Sequence, residues 1–185
     1  VWITAGPQPT DTTTLIPFLE SFKESVGHVY PNIVADSGYE SEENYLYLEE
    51  NKQLAYIKPS NYEQRKTRKY KTDIGKRENM LYDAESDSYL CSNQKNIIKI
   101  GTRSTKSKTG YISEKTCYTC DECSGCPLKA KCIKGNNSKL PLEERSKNFE
   151  VSKIFQQKRE EAQKRITTED GKMLRMNRSI QAEGA

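Results

Sequence analysis

Ile33-Val34-Ala35-Asp36-Ser37-Gly38-Tyr39 is the stretch whose reading decides the fold. Three apolar residues, led by β-branched Ile33 and Val34, read as a short buried strand. The strand runs into a carboxylate, and Ser37-Gly38 turns the chain. Ser41-Glu42-Glu43-Asn44 then opens a helix, with Ser41 as N-cap and two acids in the first turn, where the helix dipole favours negative charge. In a mostly parallel α/β sheet, ligands gather at the carboxyl ends of strands, so Asp36 stands where a catalytic carboxylate is useful. A plainer role also suits it, as a turn aspartate accepting a hydrogen bond from the backbone beyond Ser37.

Upstream, residues 1–4 read as a strand, and residues 5–10, with Pro7 and Pro9, as a loop. Thr10 or Asp11 caps a helix expected to run to about Val26, with Leu15, Phe18, Leu19 and Phe22 as its apolar stripe. His28, the only histidine, sits in a Gly27-His28 turn without a partner motif and reads as a surface residue. Downstream, the helix opened by Ser41 should end near Asn51, and Leu54–Ile57 forms another strand, closed by Pro59. This β-α-β-α-β alternation predicts half of an α/β sheet over residues 1–59.

The character changes at Ser60. Residues 61–80 concentrate cations, among them Arg65, Lys66, Arg68 and Lys69, with Tyr62 and Tyr70 interleaved. Residues 81–83 and 89–91 should pair as a hairpin, residues 96–100 should add a strand, and the Ser/Thr/Lys-rich residues 101–110 read as a mobile loop. A cysteine cluster and a polar turn at 135–139 follow, completing an expected insertion over residues 60–141. From 142 to 167 the pattern reads as one long charged helix, its apolar line being Phe149, Ile154, Phe155, Ala162 and Ile166. Gly171 should break it. A last helix from about Lys172 carries Met173, Met176, Ile180 and Gly184 on one face, with Glu183 at its edge among Arg175 and Arg178.

Hydrophobic residues make up 34% of the 185 residues and charged residues 30%, with a mean hydropathy of −0.91, which argues against one core over the whole length. Residues 1–50 hold one lysine, Lys23, against nine acids, so they carry −8 of a net +4 and leave +12 to residues 51–185. Such a division suggests an acidic, metal-binding part joined to a basic part that meets a polyanion. The basic, tyrosine-spotted part suits nucleic acid, cations neutralising phosphates and rings stacking on unpaired bases, although a solvated charged surface would look similar. No stretch is long and apolar enough for a membrane, and nothing resembles a secretory signal, so a cytoplasmic protein is expected.

Cys120, Cys123, Cys126 and Cys132 place four thiols in one short run, C-x2-C-x2-C-x5-C, at spacings that can wrap one Zn²⁺ tetrahedrally. Cys117 extends the series, and Cys91 could replace one of the four. A site filled by four protein ligands would be structural and would fold a segment too polar to fold alone. Disulfides are the alternative in an oxidising compartment.

Together these residues resemble a known family. Ala35-Asp36-Ser37-Gly38-Tyr39 with Ser41-Glu42-Glu43-Asn44 is similar to the second-aspartate motif of DDE transposases from bacterial insertion sequences, in a branch with a cysteine-rich insertion between the second and third acids. Pro9-Thr10-Asp11-Thr12, Tyr89-x-Cys91, the run from Cys120 through Cys126-Pro127-Leu128-Lys129, and Arg178-Ser179-Ile180-Gln181-Ala182-Glu183 resemble that branch too. The resemblance implies a partial ribonuclease H-like α/β fold, interrupted by a basic zinc-binding insertion and resumed over residues 142–185. Asp36 would be the second and Glu183 the third carboxylate holding two Mg²⁺ or Mn²⁺ ions, one activating the attacking oxygen and the other stabilising the leaving one. Arg175 and Arg178 would touch phosphate near the third acid, while Arg65, Lys66, Arg68 and Lys69 would bind DNA. Partners would be the element's ends and target DNA, with a homodimer on two ends. In many relatives a tyrosine and an arginine precede this glutamate at fixed spacing; here Leu174 and Met176 flank the arginines and no tyrosine is present. In the family the first aspartate lies upstream of residues matching 1–4, so this chain is expected to be a C-terminal piece unable to cleave DNA. A different class also fits the residues: a non-enzymatic zinc-binding nucleic-acid-binding module, in which Asp36 and Glu183 are ordinary structural acids.

Overall fold

Two parallel strands, β1 (Asn32–Ala35) and β2 (Leu54–Ile57), pair in register from Asn32↔Leu54 to Ala35↔Ile57. The structure is a computed structural model that describes residues 11–135 and 138–183, with side chains as far as Gln181 at the C-terminal end. The strand and loop expected over residues 1–10, part of the 135–139 turn and Gly184 lie outside the described residues. The chain forms two units: residues 1–62, 107–111 and 153–185 make the first, and residues 63–106 and 112–152 the second.

In the first unit a 3-10 turn (Asp11–Thr13) precedes helix α1 (Leu15–Val26). The helix starts after Thr14 rather than at Thr10 or Asp11, because Asp11 accepts through its carbonyl from both the backbone N–H and the hydroxyl of Thr14 and so closes a tighter turn first. Gly27 ends it in the left-handed conformation (φ 77°), which glycine adopts without a Cβ clash. Helix α2 (Glu42–Glu50) has Ser41 as its cap, the hydroxyl accepting from the Asn44 N–H at 3.1 Å. Leu15 and Leu19 of α1, Tyr45 and Leu48 of α2, Ala35 of β1, and Ala55 and Ile57 of β2 bury together with Ala162. Tyr111 donates its hydroxyl to Glu42 and Thr109 to Glu43, each at 2.6 Å.

The second unit contains the short helix α3 (Arg68–Lys71) and a five-stranded antiparallel sheet in the order β3 (Leu81–Asp83), β4 (Ser88–Leu90), β5 (Asn96–Lys106), β6 (Ile112–Cys120) and β7 (Lys147–Val151). Helix α4 (Lys129–Cys132) lies between β6 and β7 in sequence. Most of the stretch read as a mobile loop, 101–110, is strand: Thr102 to Lys106 pair with β6, and only 107–111 turn the chain. Its threonines suit a pleated surface, and its cations find cross-strand acid, as in Arg103–Glu150 at 3.3 Å. The long helix expected over 142–167 is in fact a 3-10 turn (Leu142–Glu144), strand β7 and helix α5 (Lys153–Thr167). Phe149 belongs to the strand, opposite Tyr118 and stacked on it at 5.5 Å between ring centroids, because the aromatic cluster of Tyr89, Tyr118 and Phe149 outweighs a helical pattern.

The first unit closes with α5 and a final helix, α6 (Glu169–Glu183). The break between them falls at Thr168, and Gly171 lies buried inside α6 rather than ending a helix. A Cβ there would collide with the Arg165 carbonyl and lie 2.9 Å from the Ile166 Cα, so glycine is what lets the two helices meet. Among the described residues no helix is long and apolar enough to cross a membrane.

Candidate active site and cysteine cavity

Asp36 and Lys58 follow directly from the carboxyl ends of neighbouring parallel strands, so the pairing of β1 with β2 places both at one end of the sheet. Asp36 does make the plain turn contact, its Oδ1 accepting from the Gly38 N–H at 2.9 Å and opening a 3-10 turn (Ser37–Tyr39). Buried Asn44 braces that turn, its amide donating to the carbonyls of Tyr39 at 2.8 Å and Thr12 at 3.0 Å. The Thr12 bond draws the 3-10 turn of Asp11 in as well. A Cβ on Gly38 would stand 3.1 Å from Asp36 Oδ1 and 3.5 Å from Asp11 Oδ2, so the two carboxylates flank one glycine. Burial, then Asp11 and Asp36, push the Tyr39 phenol above its ordinary pKa.

The other Asp36 oxygen accepts from Arg178 Nη2 at 3.0 Å, and both groups are partly exposed, a geometry worth at most about 1 kcal/mol. Together they border a cavity of about 630 Å³ that Lys58, Lys172, Arg175 and Ser179 also line. Lys172, Arg175, Met176 and Ser179 fall at i, i+3, i+4 and i+7, one face of α6. Arg175 and Lys58 each stand 5.6 Å from the ring centroid of Tyr62, and Arg175 also reaches the Ile166 carbonyl at 3.4 Å. Meanwhile Met173, Met176 and Ile180, the apolar stripe of α6, stay exposed.

Of the expected site residues, the structure thus gathers Asp36, Arg175 and Arg178. Glu183 closes α6, but its side chain lies outside the described residues. Arg65 and Lys66 fall in a 3-10 turn (Gln64–Lys66), and Arg68 and Lys69 in α3, all in the second unit. Asp11, Lys58 and Lys172 were not expected at the site. Lys172 shares a helical stripe with Arg175, a signal that stood in the sequence, whereas Lys58 reaches the site only through the pairing of β1 with β2.

In the second unit Cys91, Cys120, Cys123, Cys126 and Cys132 line one cavity of about 20 Å³. All six cysteines are free thiols. Cys117 and Cys120 stand on β6, not in a turn, and three positions apart on a strand they point to opposite faces. Burial pushes the Cys120 thiol up to about 11 and raises that of Cys132 as well. The Cys132 segment is held from outside, since Lys134 pairs with Asp73 at 2.7 Å while Asp73 accepts from the Gly75 N–H at 2.9 Å. Gly75 is needed there, because a Cβ would come within 2.6 Å of the Cys132 carbonyl oxygen. Lys134 first, and the Gly75 N–H after it, hold the Asp73 carboxyl below its ordinary value. A depressed carboxylate contributes stability that is present above its unfolded pKa and lost as pH falls through the folded one. The difference in melting temperature between the wild type and Asp73→Asn should therefore shrink below about pH 4; a constant difference from pH 6 to pH 3 would contradict the ion pair.

The donor types fit the expected metals, carboxylate oxygen suiting Mg²⁺ and thiolate suiting Zn²⁺. Among the described residues, however, no three His, Cys, Asp or Glu side chains are drawn together closely enough to hold an ion as they stand.

The site thus sets one carboxylate at a parallel-strand end beside the cations Lys58, Lys172, Arg175 and Arg178. The chain belongs to the transposase DDE domain family, whose sequence pattern matches residues 90–185 and so takes in β5 to β7, the cysteines and both closing helices. Comparison with curated proteins and with solved structures finds no match.

Proposed function

We propose that this chain acts in DNA transposition, with Asp36 and Glu183 as the second and third acids of a two-metal site on a partial ribonuclease H-like fold. The observation that carries the reading is the placing of Asp36 and the basic face of α6 around one cavity, in a chain of the DDE family. A DDE domain implies DNA as partner, and a DNA backbone is a line of phosphodiesters. Lys58, Lys172 and Arg175 bind and orient such a phosphate, while Asp36 stands at its edge. Divalent ions held by the carboxylates would supply an activated attacking oxygen and a stabilised leaving one. Arg178, hydrogen-bonded to Asp36 Oδ2, helps to orient that carboxylate at the cavity's edge. The second unit, with Arg65, Lys66, Arg68 and Lys69, adds contacts to phosphate, and Zn²⁺ on its thiols gives that unit a structural anchor.

Binding of a fluorescein-labelled oligonucleotide, followed by anisotropy across a salt series, tests the reading. Arg175→Gln and Lys172→Gln should each weaken binding by about 5- to 10-fold near 0.1 M salt and lower the log–log salt slope by about one. Asp36→Asn should abolish any gain in affinity from added Mg²⁺ while leaving the slope intact. Unchanged affinity and slope in both cation variants would overturn the assignment of the cavity. A Mg²⁺ effect surviving in Asp36→Asn would favour the non-enzymatic nucleic-acid-binding module.

A further inference from the structure

The thiol cavity has contributors from four places in the second unit. Cys91 lies just after β4, Cys120 ends β6, Cys123 and Cys126 lie in the segment beyond it, and Cys132 ends α4. At about 20 Å³ the cavity has room for a single ion, since one water-sized sphere occupies roughly 10–15 Å³. Three of the sulfurs already accept backbone N–H groups: Cys91 from Lys95 at 3.4 Å, Cys123 from Lys147 at 3.3 Å, and Cys120 from Glu122. Such donors fix the direction of each sulfur, which is what the surroundings of a metal ligand do. The Cys91 bond is built into a tight turn, Cys91 N–H bonding the Lys95 carbonyl and Gln94 sitting at φ 56°. Cys117 differs on every count. It stands on the opposite face of β6 from Cys120, does not line the cavity, and has its sulfur beside the Lys115 carbonyl, at 4.0 Å.

We propose that Cys91 is one of the four thiolate ligands of a Zn²⁺ ion in this cavity, with the other three drawn from Cys120, Cys123, Cys126 and Cys132, and that Cys117 takes no part. The assignment rests on the zinc reading given above and adds a ligand far upstream of the C-x2-C run, on the turn that joins β4 to β5. A Zn²⁺ ion held there would tie that turn to the segment at the end of β6.

The test uses the full chain purified under reducing conditions. Zinc content is measured by mass spectrometry, and thiol reactivity toward a maleimide is mapped by peptide with and without added ZnCl₂. The expected result is about one zinc per chain, with Cys91 protected by zinc and Cys117 modified at the same rate in both samples. Cys91→Ser should weaken zinc at least about 10-fold in competition with a chelator, whereas Cys117→Ser should leave it unchanged. A wild-type chain without zinc would overturn the zinc reading and this assignment together. Zinc binding with Cys91 still freely modified would overturn the assignment alone. Because the mapping is done on the wild type, the result stands even where Cys91→Ser does not fold.

Discussion

Arg159→Leu is expected to destabilise the first unit by about 3–5 kcal/mol, the range for removing one partner of a buried ion pair. Arg159, on α5, donates through Nε and Nη2 to the two oxygens of Glu40 at 2.6 Å each. The Glu40 side chain is only 2% exposed, so the charge left behind would have little water to turn to. Its remaining donors, the Ser60 N–H at 2.8 Å and the Tyr45 hydroxyl at 3.4 Å, are neutral. Urea denaturation of the purified chain measures the loss. Replacing both partners, as Arg159→Leu with Glu40→Leu, should recover much of it, since the cost lies in the orphaned charge rather than in the absence of the pair. A single-variant loss below about 1 kcal/mol would mean that solvent screens the pair. Glu40 directly follows the Ser37–Tyr39 turn, so the same variant should loosen the seat of Asp36.

Gly171→Ala offers a test in which two effects have opposite signs. Inside a helix, alanine is ordinarily the better residue by roughly 0.5–1 kcal/mol. Here the added methyl meets the Arg165 carbonyl and the Ile166 backbone, which cannot move without shifting α5. Overpacking against backbone should win, with a net loss of about 2 kcal/mol. A lowered melting temperature is expected. A raised one would mean that the corner between α5 and α6 is looser than described. If the corner opens, the cation face of α6 leaves Asp36, so oligonucleotide affinity should fall alongside stability.

The parallel half of the first unit was legible because its signals are local. Three apolar residues, a turn and a capping serine define β1 and α2 with little help from the rest of the chain. The strand of residues 101–106 was not, since Thr102 to Lys106 look like a polar loop until the partners on β6 and β7 supply the opposite charges. Nor was β7: Phe149 fits a helical line drawn from 149 to 166 as well as it fits a strand, and only the rings of Tyr89 and Tyr118 decide. For the site, Asp36, Arg175 and Arg178 were named from motif and family resemblance, and the structure brings them together. Asp11 was read as a helix cap and Lys58 passed over, because their proximity to Asp36 depends on Asn44 and on strand pairing, which sequence spacing does not display. Cys117 and Cys120 were read as one series, whereas strand alternation turns them apart.

The cavity beside Asp36 is assembled from segments made at very different moments of synthesis. Asp36 and Lys58 emerge in quick succession and can meet as soon as β1 and β2 pair. The helix bearing Lys172, Arg175 and Arg178 leaves the ribosome much later, after the whole second unit. Closing so long a loop is slow, though it adds only modestly to the entropy cost. During that interval the carboxylates of Asp11 and Asp36 face solvent with few cations near them. That end of the sheet therefore stays acidic, with Lys58 alone beside Asp36, until α6 docks and brings Lys172, Arg175 and Arg178.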